Sequence, residues 1–186
     1  MRQGHDSRLM LRRFAARLLP AAGAMLVLAG ALAAQSSPQA PAPGAAAPVA
    51  TLNQLMRGLF FPHSNVIFAT QRVDPAQIKR LAEPSTSTDP LTGVFGNWEA
   101  VETSALVLSE SADFLLTPGR KCSNGKDMPI EKADWMRFVN QLREAGMVAY
   151  KAAQTKNMDN MIQASDVLNT ACANCHNRYR ARNRCQ

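Results

Sequence analysis

Apolar residues recur at alternating steps of three and four in three stretches of the chain, and this spacing is typical of one face of an α-helix. Asn97 or Gly96 opens the first of these stretches, and Pro118-Gly119 closes it. The other two run from about Lys132 to Asn157 and from about Asp159 to Tyr179. The predicted core positions are Trp98, Val101, Ala105, Leu108, Ala112 and Leu115 in the first, Trp135, Phe138, Val139, Leu142, Ala145, Ala149, Ala152 and Ala153 in the second, and Met161, Ser165, Leu168, Cys172, Cys175 and Tyr179 in the third.

A further helix, the first in chain order, is predicted from about Leu52 to Thr70, with a kink at Pro62 because proline lacks a backbone N–H. Its predicted core stripe consists of Leu55, Leu59 and Val66. The loop 72–92 is rich in Ser, Thr and Pro, and within it Asp74-Pro75 predicts a short helix. The alanines of the helix predicted from about Lys132 to Asn157, the third in chain order, allow close approach either of a neighbouring helix or of a flat cofactor. These patterns predict an all-α fold.

Near its C-terminus the chain carries Cys172-Ala173-Asn174-Cys175-His176, which has the Cys-x-x-Cys-His spacing of a c-type haem attachment site. In that chemistry two thiols add to the two vinyl groups of the porphyrin, and the adjacent histidine supplies its imidazole to the iron. Since the ring is already fixed at two points, binding of His176 costs little further entropy. Because Cys172 and Cys175 lie on the predicted buried stripe, we expect haem on the inward face of the last helix.

The residues alone leave two other uses of Cys172 and Cys175 open. The first is a four-thiolate zinc site completed by Cys122 and Cys185, although these two are far apart and form no second Cys-x-x-Cys pair. The second is a thioredoxin-like redox pair, which belongs after a strand and at the start of a helix. Here the pair closes a helix and no strand pattern precedes it, so haem is the favoured interpretation.

The N-terminal segment has the three parts of a secretory signal peptide. Five arginines form a basic region, an apolar run extends from Leu18 to Leu32, and Ala31-Leu32-Ala33 offers a cleavage site. We therefore expect 1–34 to be a cleaved signal peptide and the protein to be periplasmic, with membrane attachment only if the segment stays uncleaved. Residues 35–50 are rich in Pro and Ala and predict a disordered spacer, which leaves 51–186 as the folded domain.

Cleavage changes the charge of the chain. The full chain has 21 basic and 14 acidic side chains and a net charge of +7, whereas residues after 34 have 16 and 13, or +3. Arginines cluster from Arg178 to Arg184, and the segment 99–113 is acidic. Such a dipole can steer a redox partner, and two ordinary solvated faces explain it equally well. Nucleic-acid binding has little support, because the basic residues are not interleaved with aromatic ones.

The C-terminal position of the haem motif, its continuation Asn177-Arg178-Tyr179-Arg180 and the order of four helices resemble the class II c-type cytochromes, which include cytochrome c′ and its low-spin relatives. The resemblance covers essentially all of 51–186. It implies an antiparallel four-helix bundle with covalently bound haem c, His176 as the fifth iron ligand and, in the low-spin branch, one-electron transfer. It also implies that homodimers are common.

In low-spin members of this family a Met of the first helix is the sixth iron ligand, and the segment 52–57 is similar to that stretch. Met56 is therefore the candidate distal ligand, with His63 as the alternative, and a spacing of seven predicts that both share a helix face. A thioether ligand raises the reduction potential and suits electron transfer. Arg57 is a candidate partner for a haem propionate. If Met56 only packs in the core, the resemblance implies a five-coordinate protein that binds NO or CO.

Cys122 and Cys185 remain, and in an exported protein two remaining thiols most simply form a disulfide. Free or intermolecular thiols are the alternative. A periplasmic redox protein is the expected partner, and a haem subunit docked to a larger oxidoreductase through the cluster from Arg178 to Arg184 is a third functional interpretation. No nucleophile, base and orienting group assemble near the haem motif in sequence, so enzymatic activity is not expected.

Overall fold

The computed structural model describes residues 47–84, 95–180 and 185, and they form four helices joined by loops. The predicted signal peptide 1–34, most of the predicted spacer 35–50 and residues 85–92 of the loop lie outside the described residues. No β-strand occurs within the described ranges, where Lys121 and Asp127 form an isolated bridge. The prediction of an all-α fold is confirmed for this part of the chain.

Each helix except α3 combines two kinds of helical turn. The bounds are as follows: α1 comprises an α-helix Leu52–Leu55, a π-helical turn Met56–Phe60 and an α-helix Phe61–Ala69; α2 is Asn97–Glu110, continued by a 3-10 turn Ser111–Leu116; α3 is Ala133–Gln154; and α4 is Met158–Cys175, continued by a π-helical turn His176–Arg180. The boundaries of α2, α3 and α4 agree with the predicted stretches.

Side-chain caps explain where several of these elements begin. The Thr51 hydroxyl accepts a hydrogen bond from the backbone N–H of Gln54, and the Gln54 side chain bonds back to the N–H of Thr51 at 2.8 Å, which is a capping box. The Asn157 side chain caps α4 in the same sense. Asp74 accepts from the N–H of Ala76 at 2.9 Å, and a 3-10 turn follows over Pro75–Gln77. The helix start predicted at Asp74-Pro75 is therefore confirmed.

The predicted core stripes of α2 and α3 are confirmed, since every residue in them is buried. The α4 stripe is buried at Met161, Ser165, Leu168 and Tyr179 and half-buried at its two cysteines. The most extensive contacts between helices are those of α2 with α3 and of α3 with α4, while α1 packs mainly against α2 and touches α4 only slightly. None of the helices in the described ranges has the length and apolar content needed to cross a membrane.

The predicted core stripe of α1 is confirmed only in part, since Leu55, Leu59 and Val66 are half-buried and pack against the core. The most buried apolar positions are Leu52 and, one residue after the predicted Leu59 and Val66, Phe60 and Ile67. The π-helical turn is the reason, because the N–H of Phe61 donates to the carbonyl of Met56, five residues earlier, and later residues rotate relative to an α-helix. This wide turn lies directly before Pro62, where a regular helix would press the proline ring against the carbonyl of Gly58.

The loop between α2 and α3 binds residues at or near both ends of the folded part of the chain. The N–H of Leu52 donates to the carbonyl of Lys121 at 2.9 Å, and the buried Arg120 guanidinium donates to the carbonyl of Ala50. From the other end of the chain, Cys185 is joined to Cys122 by a disulfide with a Cα–Cα distance of 5.1 Å. This distance is normal for a disulfide, and the pairing agrees with the sequence expectation.

Candidate cofactor site

A cavity of about 1000 Å³ lies mainly between α1, α3 and α4, and Leu108 and Leu115 of α2 also line it. Protein interiors are close-packed with few voids larger than a water molecule, so a space of this size is not ordinary packing. It lies at the upper end of the volumes of ligand pockets, about 300 to 1,000 Å³. Its lining is mainly apolar and includes Leu52, Met56, Phe60 and Phe68 from α1, Trp135, Phe138, Val139 and Leu142 from α3, and Cys172, Cys175, His176 and Tyr179 from α4.

The side of the cavity that α1 forms has an unusual residue spacing. Five lining residues follow one another at steps of four, namely Leu52, Met56, Phe60, Ser64 and Phe68. In an α-helix with ~3.6 residues per turn, each step of four drifts by about 40° around the axis, so five such residues would leave one face. The π-helical turn from Met56 to Phe60 has more residues per turn and offsets part of this drift. The wide turn therefore helps to keep these five side chains at one wall.

Cys172 and Cys175 both line the cavity, are half-buried and form no disulfide. Burial raises the pKa of Cys172, and burial together with the nearby charges of Cys172 and Asp134 raises the pKa of Cys175 to about 12. Both thiols are therefore protonated at neutral pH. A thioredoxin-like pair needs the opposite, a lowered thiol pKa at the start of a helix, whereas these cysteines end α4.

The four-thiolate zinc alternative is not supported by the cysteine arrangement. Cys122 and Cys185 are bonded to each other, so they cannot act as the third and fourth thiolate ligands. Within the ranges that the structure describes, no group of three or more His, Cys, Asp or Glu side chains is placed to hold a metal ion. What the cavity offers instead is two thiols and one imidazole from within five positions at the end of α4.

His176 is the first residue of the π-helical turn that continues α4, and its half-buried side chain lines the cavity. Burial lowers the pKa of His176, and the positive charge of Arg180 lowers it further. The ring is therefore neutral at physiological pH. A neutral imidazole has a free nitrogen lone pair, which is the form that binds a metal.

Met56 and His63, the two candidates for the distal position, point to different places. Met56 is half-buried and lines the cavity, whereas His63 does not line it. The Nδ1 atom of His63 lies 3.3 Å from the hydroxyl of Ser104 on α2, and burial lowers the pKa of His63. The prediction that both share a helix face is wrong, because the π-helical turn between them changes the angle that seven residues span. Met56 is thus the distal candidate that the cavity contains.

Arg57 lies at the mouth of the cavity. Its side chain is exposed and contributes to the lining, as does that of Arg180. Two guanidinium groups at the edge of an apolar space suit a ligand that is apolar in its body and carries carboxylates at its rim. The position of Arg57 is compatible with the propionate contact expected from the resemblance.

The arrangement of donors and apolar walls fits a haem. The two thiols stand one turn apart on α4, the imidazole follows at the next position, and a thioether faces the same space from α1. Large apolar side chains from α1 and α3 supply surfaces for a flat macrocycle. Apart from the alternative ligand His63, every haem-binding residue predicted from sequence therefore lines one cavity.

Several residues of the site were not predicted from sequence. Phe60, Phe68 and Trp135 line the cavity, and Asp134 binds Tyr179 and Arg178 beside it. The steps of four along α1 are a signal that could have identified Phe60 and Phe68. Asp134 had no such signal, because its partners are 44 and 45 residues away in sequence.

Comparisons with protein-family models, curated proteins and solved structures gave no match to this chain. The attachment motif and the cavity around it are therefore the features of this protein that point to a function.

Proposed function

We propose that this protein is an exported c-type cytochrome that transfers one electron at a time in the periplasm. The observation that carries the proposal is the meeting of Cys172, Cys175, His176 and Met56 around one cavity. These residues come from opposite ends of the folded part of the chain. A void left by loose packing alone would not be expected to have two thiols, an imidazole and a thioether in its lining.

In this proposal Cys172 and Cys175 would hold haem c through thioether bonds, and His176 and Met56 would bind its iron. When bound, the haem would supply one-electron redox chemistry. Arg57 would pair with a propionate at the mouth of the cavity. The apolar walls limit access of water to the ring, and low polarity together with a thioether ligand favours a raised reduction potential.

The proposed architecture is the antiparallel four-helix bundle of the class II c-type cytochromes, with haem held between the helices. The proposal includes export by the segment 1–34, a periplasmic redox protein as partner, possible homodimers and no enzymatic activity. The exposed residues Arg57 and Arg180 at the cavity mouth are compatible with an acidic surface on the partner.

The test is an absorption spectrum of the protein after production in a host that attaches haem in its periplasm. We expect covalent haem with a low-spin spectrum in both oxidation states and slow binding of carbon monoxide by the reduced form. Met56→Ala should convert the haem to a high-spin, carbon monoxide-binding form because it removes the sixth ligand. His63→Ala and Met136→Ala are matched controls, since neither residue lines the cavity and Met136 is exposed, so both should keep the wild-type spectrum.

The outcomes separate the alternatives. Absence of covalent haem would overturn the proposal. A high-spin wild type that binds carbon monoxide at once would favour a gas-binding protein like cytochrome c′. An unchanged spectrum in Met56→Ala would remove Met56 as ligand, and stable co-purification with a larger oxidoreductase would favour the docked haem subunit.

A further inference from the structure

A carboxylate on α3 binds two consecutive residues of the turn that carries His176. Asp134 lies in the first turn of α3. Its Oδ1 atom accepts a hydrogen bond of 2.6 Å from the hydroxyl of Tyr179, and its Oδ2 atom accepts one of 3.1 Å from Nε of Arg178. Both carboxylate oxygens are therefore used, and both donors belong to the π-helical turn His176–Arg180.

Tyr179 is also fixed on its other sides. Its ring makes edge-to-face contacts with Trp135, at 4.9 Å between centroids, and with Phe138, at 6.2 Å. The Trp135 indole is itself anchored by a hydrogen bond of 2.8 Å to the carbonyl of Leu115. The backbone carbonyl of Tyr179 accepts from the N–H of Cys185 at 3.0 Å, next to the disulfide. Tyr179 is thus the point at which the turn is attached to the rest of the protein.

Resting on the proposed function, we infer that Asp134 is a positioning residue for the axial imidazole: by holding Tyr179 and Arg178 it fixes the turn that begins with His176. His176 and Tyr179 are three residues apart and both line the cavity. A rotation of the turn therefore moves the imidazole with it. Groups that orient a metal-binding histidine through its surroundings commonly affect the metal as strongly as some ligands do.

The two parts of this interaction have separable effects. The hydrogen bond from Tyr179 restrains the geometry of the turn. The negative charge of Asp134 lies close enough to the motif to act on the thiol of Cys175, and a negative charge near a haem favours its ferric state. Asp134→Asn removes the charge and keeps a side-chain oxygen that can accept from Tyr179, whereas Tyr179→Phe removes the hydrogen bond and keeps the ring.

The experiment uses the full, haem-loaded chain as wild type, Asp134→Asn, Tyr179→Phe and the double variant. The readouts are the reduction potential and the proton NMR spectrum of the oxidised protein, in which the haem methyl shifts depend on the orientation of the axial imidazole plane. We expect unchanged haem content, altered methyl shifts in Tyr179→Phe and a higher reduction potential in Asp134→Asn. The double variant should combine the methyl shifts of Tyr179→Phe with the raised potential of Asp134→Asn, because the two effects are separable.

Two control variants isolate positioning from general effects. Glu131→Gln removes an equal charge from an exposed position three residues before Asp134. Val101→Ala destabilises the core at a buried α2 position that does not line the cavity. Both controls should keep the wild-type methyl shifts and a nearly unchanged potential.

The inference is overturned if Tyr179→Phe keeps the wild-type methyl shifts, whatever the potential of Asp134→Asn, even if both variants lower stability as Val101→Ala does. That result leaves the proposed function intact, since the wild type still carries haem. A wild type without covalent haem overturns both the proposed function and this inference.

Discussion

The contact between α2 and α3 differs from the region between α1, α3 and α4 in packing. The first is very tight, and the second contains a large cavity. At the α2–α3 contact Gly146 lies so close to α2 that an added Cβ atom would be 2.7 Å from the backbone nitrogen of Ser109 and 2.9 Å from the carbonyl oxygen of Ala105. The Ser109 hydroxyl also donates to the carbonyl of Arg143 at 3.0 Å. On the other side, large side chains surround about 1000 Å³ of space.

This difference decides the role of the small residues of α3. From sequence, its alanines allowed either a neighbouring helix or a flat cofactor to approach. None of Ala145, Ala149, Ala152 and Ala153 lines the cavity, and the glycine beside Ala145 is pressed against α2. The residues of α3 that line the cavity are large and lie in its first half, as Trp135, Phe138, Val139 and Leu142 do. The small residues of α3 therefore allow close packing of the helices, and its large residues form a wall of the cavity.

The largest expected effect concerns the open side of the protein, by which we mean the cavity between α1, α3 and α4. Cys172→Ser combined with Cys175→Ser should abolish covalent haem, a loss of more than about 100-fold in attached haem, since no thioether can then form. Intact mass of the denatured protein measures the attachment. The matched control is Cys122→Ser with Cys185→Ser, which removes two other cysteines and should retain haem. Haem that stays covalently bound to the first variant would contradict the assignment of the open side as a haem site.

The next effect concerns the disulfide at the end of the open side. Cys122→Ala with Cys185→Ala should lower the free energy of unfolding by about 2 to 4 kcal/mol, because the bond connects residues 63 apart and restricts the unfolded chain. Denaturant titration measures the change. Hydrogen exchange should quicken in the loop around Cys122 and stay slow in the α2–α3 contact. Equally faster hydrogen exchange in the loop around Cys122 and in the α2–α3 contact would show that the disulfide does not stabilise the open side selectively.

The smallest effect concerns the closed side of the protein, by which we mean the contact between α2 and α3. Gly146→Ala should lower the free energy of unfolding by about 1 to 3 kcal/mol, because the new methyl group must push α2 and α3 apart. Gly58→Ala is the matched control: no atom beyond the neighbouring backbone of its own helix lies within 4 Å of the added Cβ, and alanine is favoured over glycine in helices by about 0.5 to 1 kcal/mol. A Gly146→Ala protein as stable as wild type would show that the contact is looser than the structure has it.

The sequence predicted α2, α3 and α4 well because their cores follow the ordinary helical spacing. Trp98, Val101 and Leu108 in α2 and Trp135, Val139 and Leu142 in α3 are all buried, as predicted. It predicted the extent of α1 correctly, as Leu52 to Thr70, but not its buried face, because a π-helical turn with a hydrogen bond from Phe61 to Met56 precedes Pro62. A regular spacing of apolar residues predicts one buried face only where the number of residues per turn is constant, and in α1 this number changes at the π-helical turn.

The candidate site divides in the same way. Cys172, Cys175 and His176 form a local motif, so the sequence identifies them without any knowledge of the fold. The cavity itself depends on how far apart three helices lie, which the sequence does not state. Asp134 is an ordinary acidic residue at a helix start, where such residues are common. Only its proximity to Tyr179 and Arg178 distinguishes it.

The loop between α2 and α3 has a mechanical consequence. Ala50 is bound to Arg120, Leu52 to Lys121, and Cys185 to Cys122, so both ends of the folded part are attached within three consecutive residues. A force that pulls the two ends apart would therefore act first on the disulfide and on the hydrogen bonds at Arg120 and Lys121, before it reaches the contact between α2 and α3.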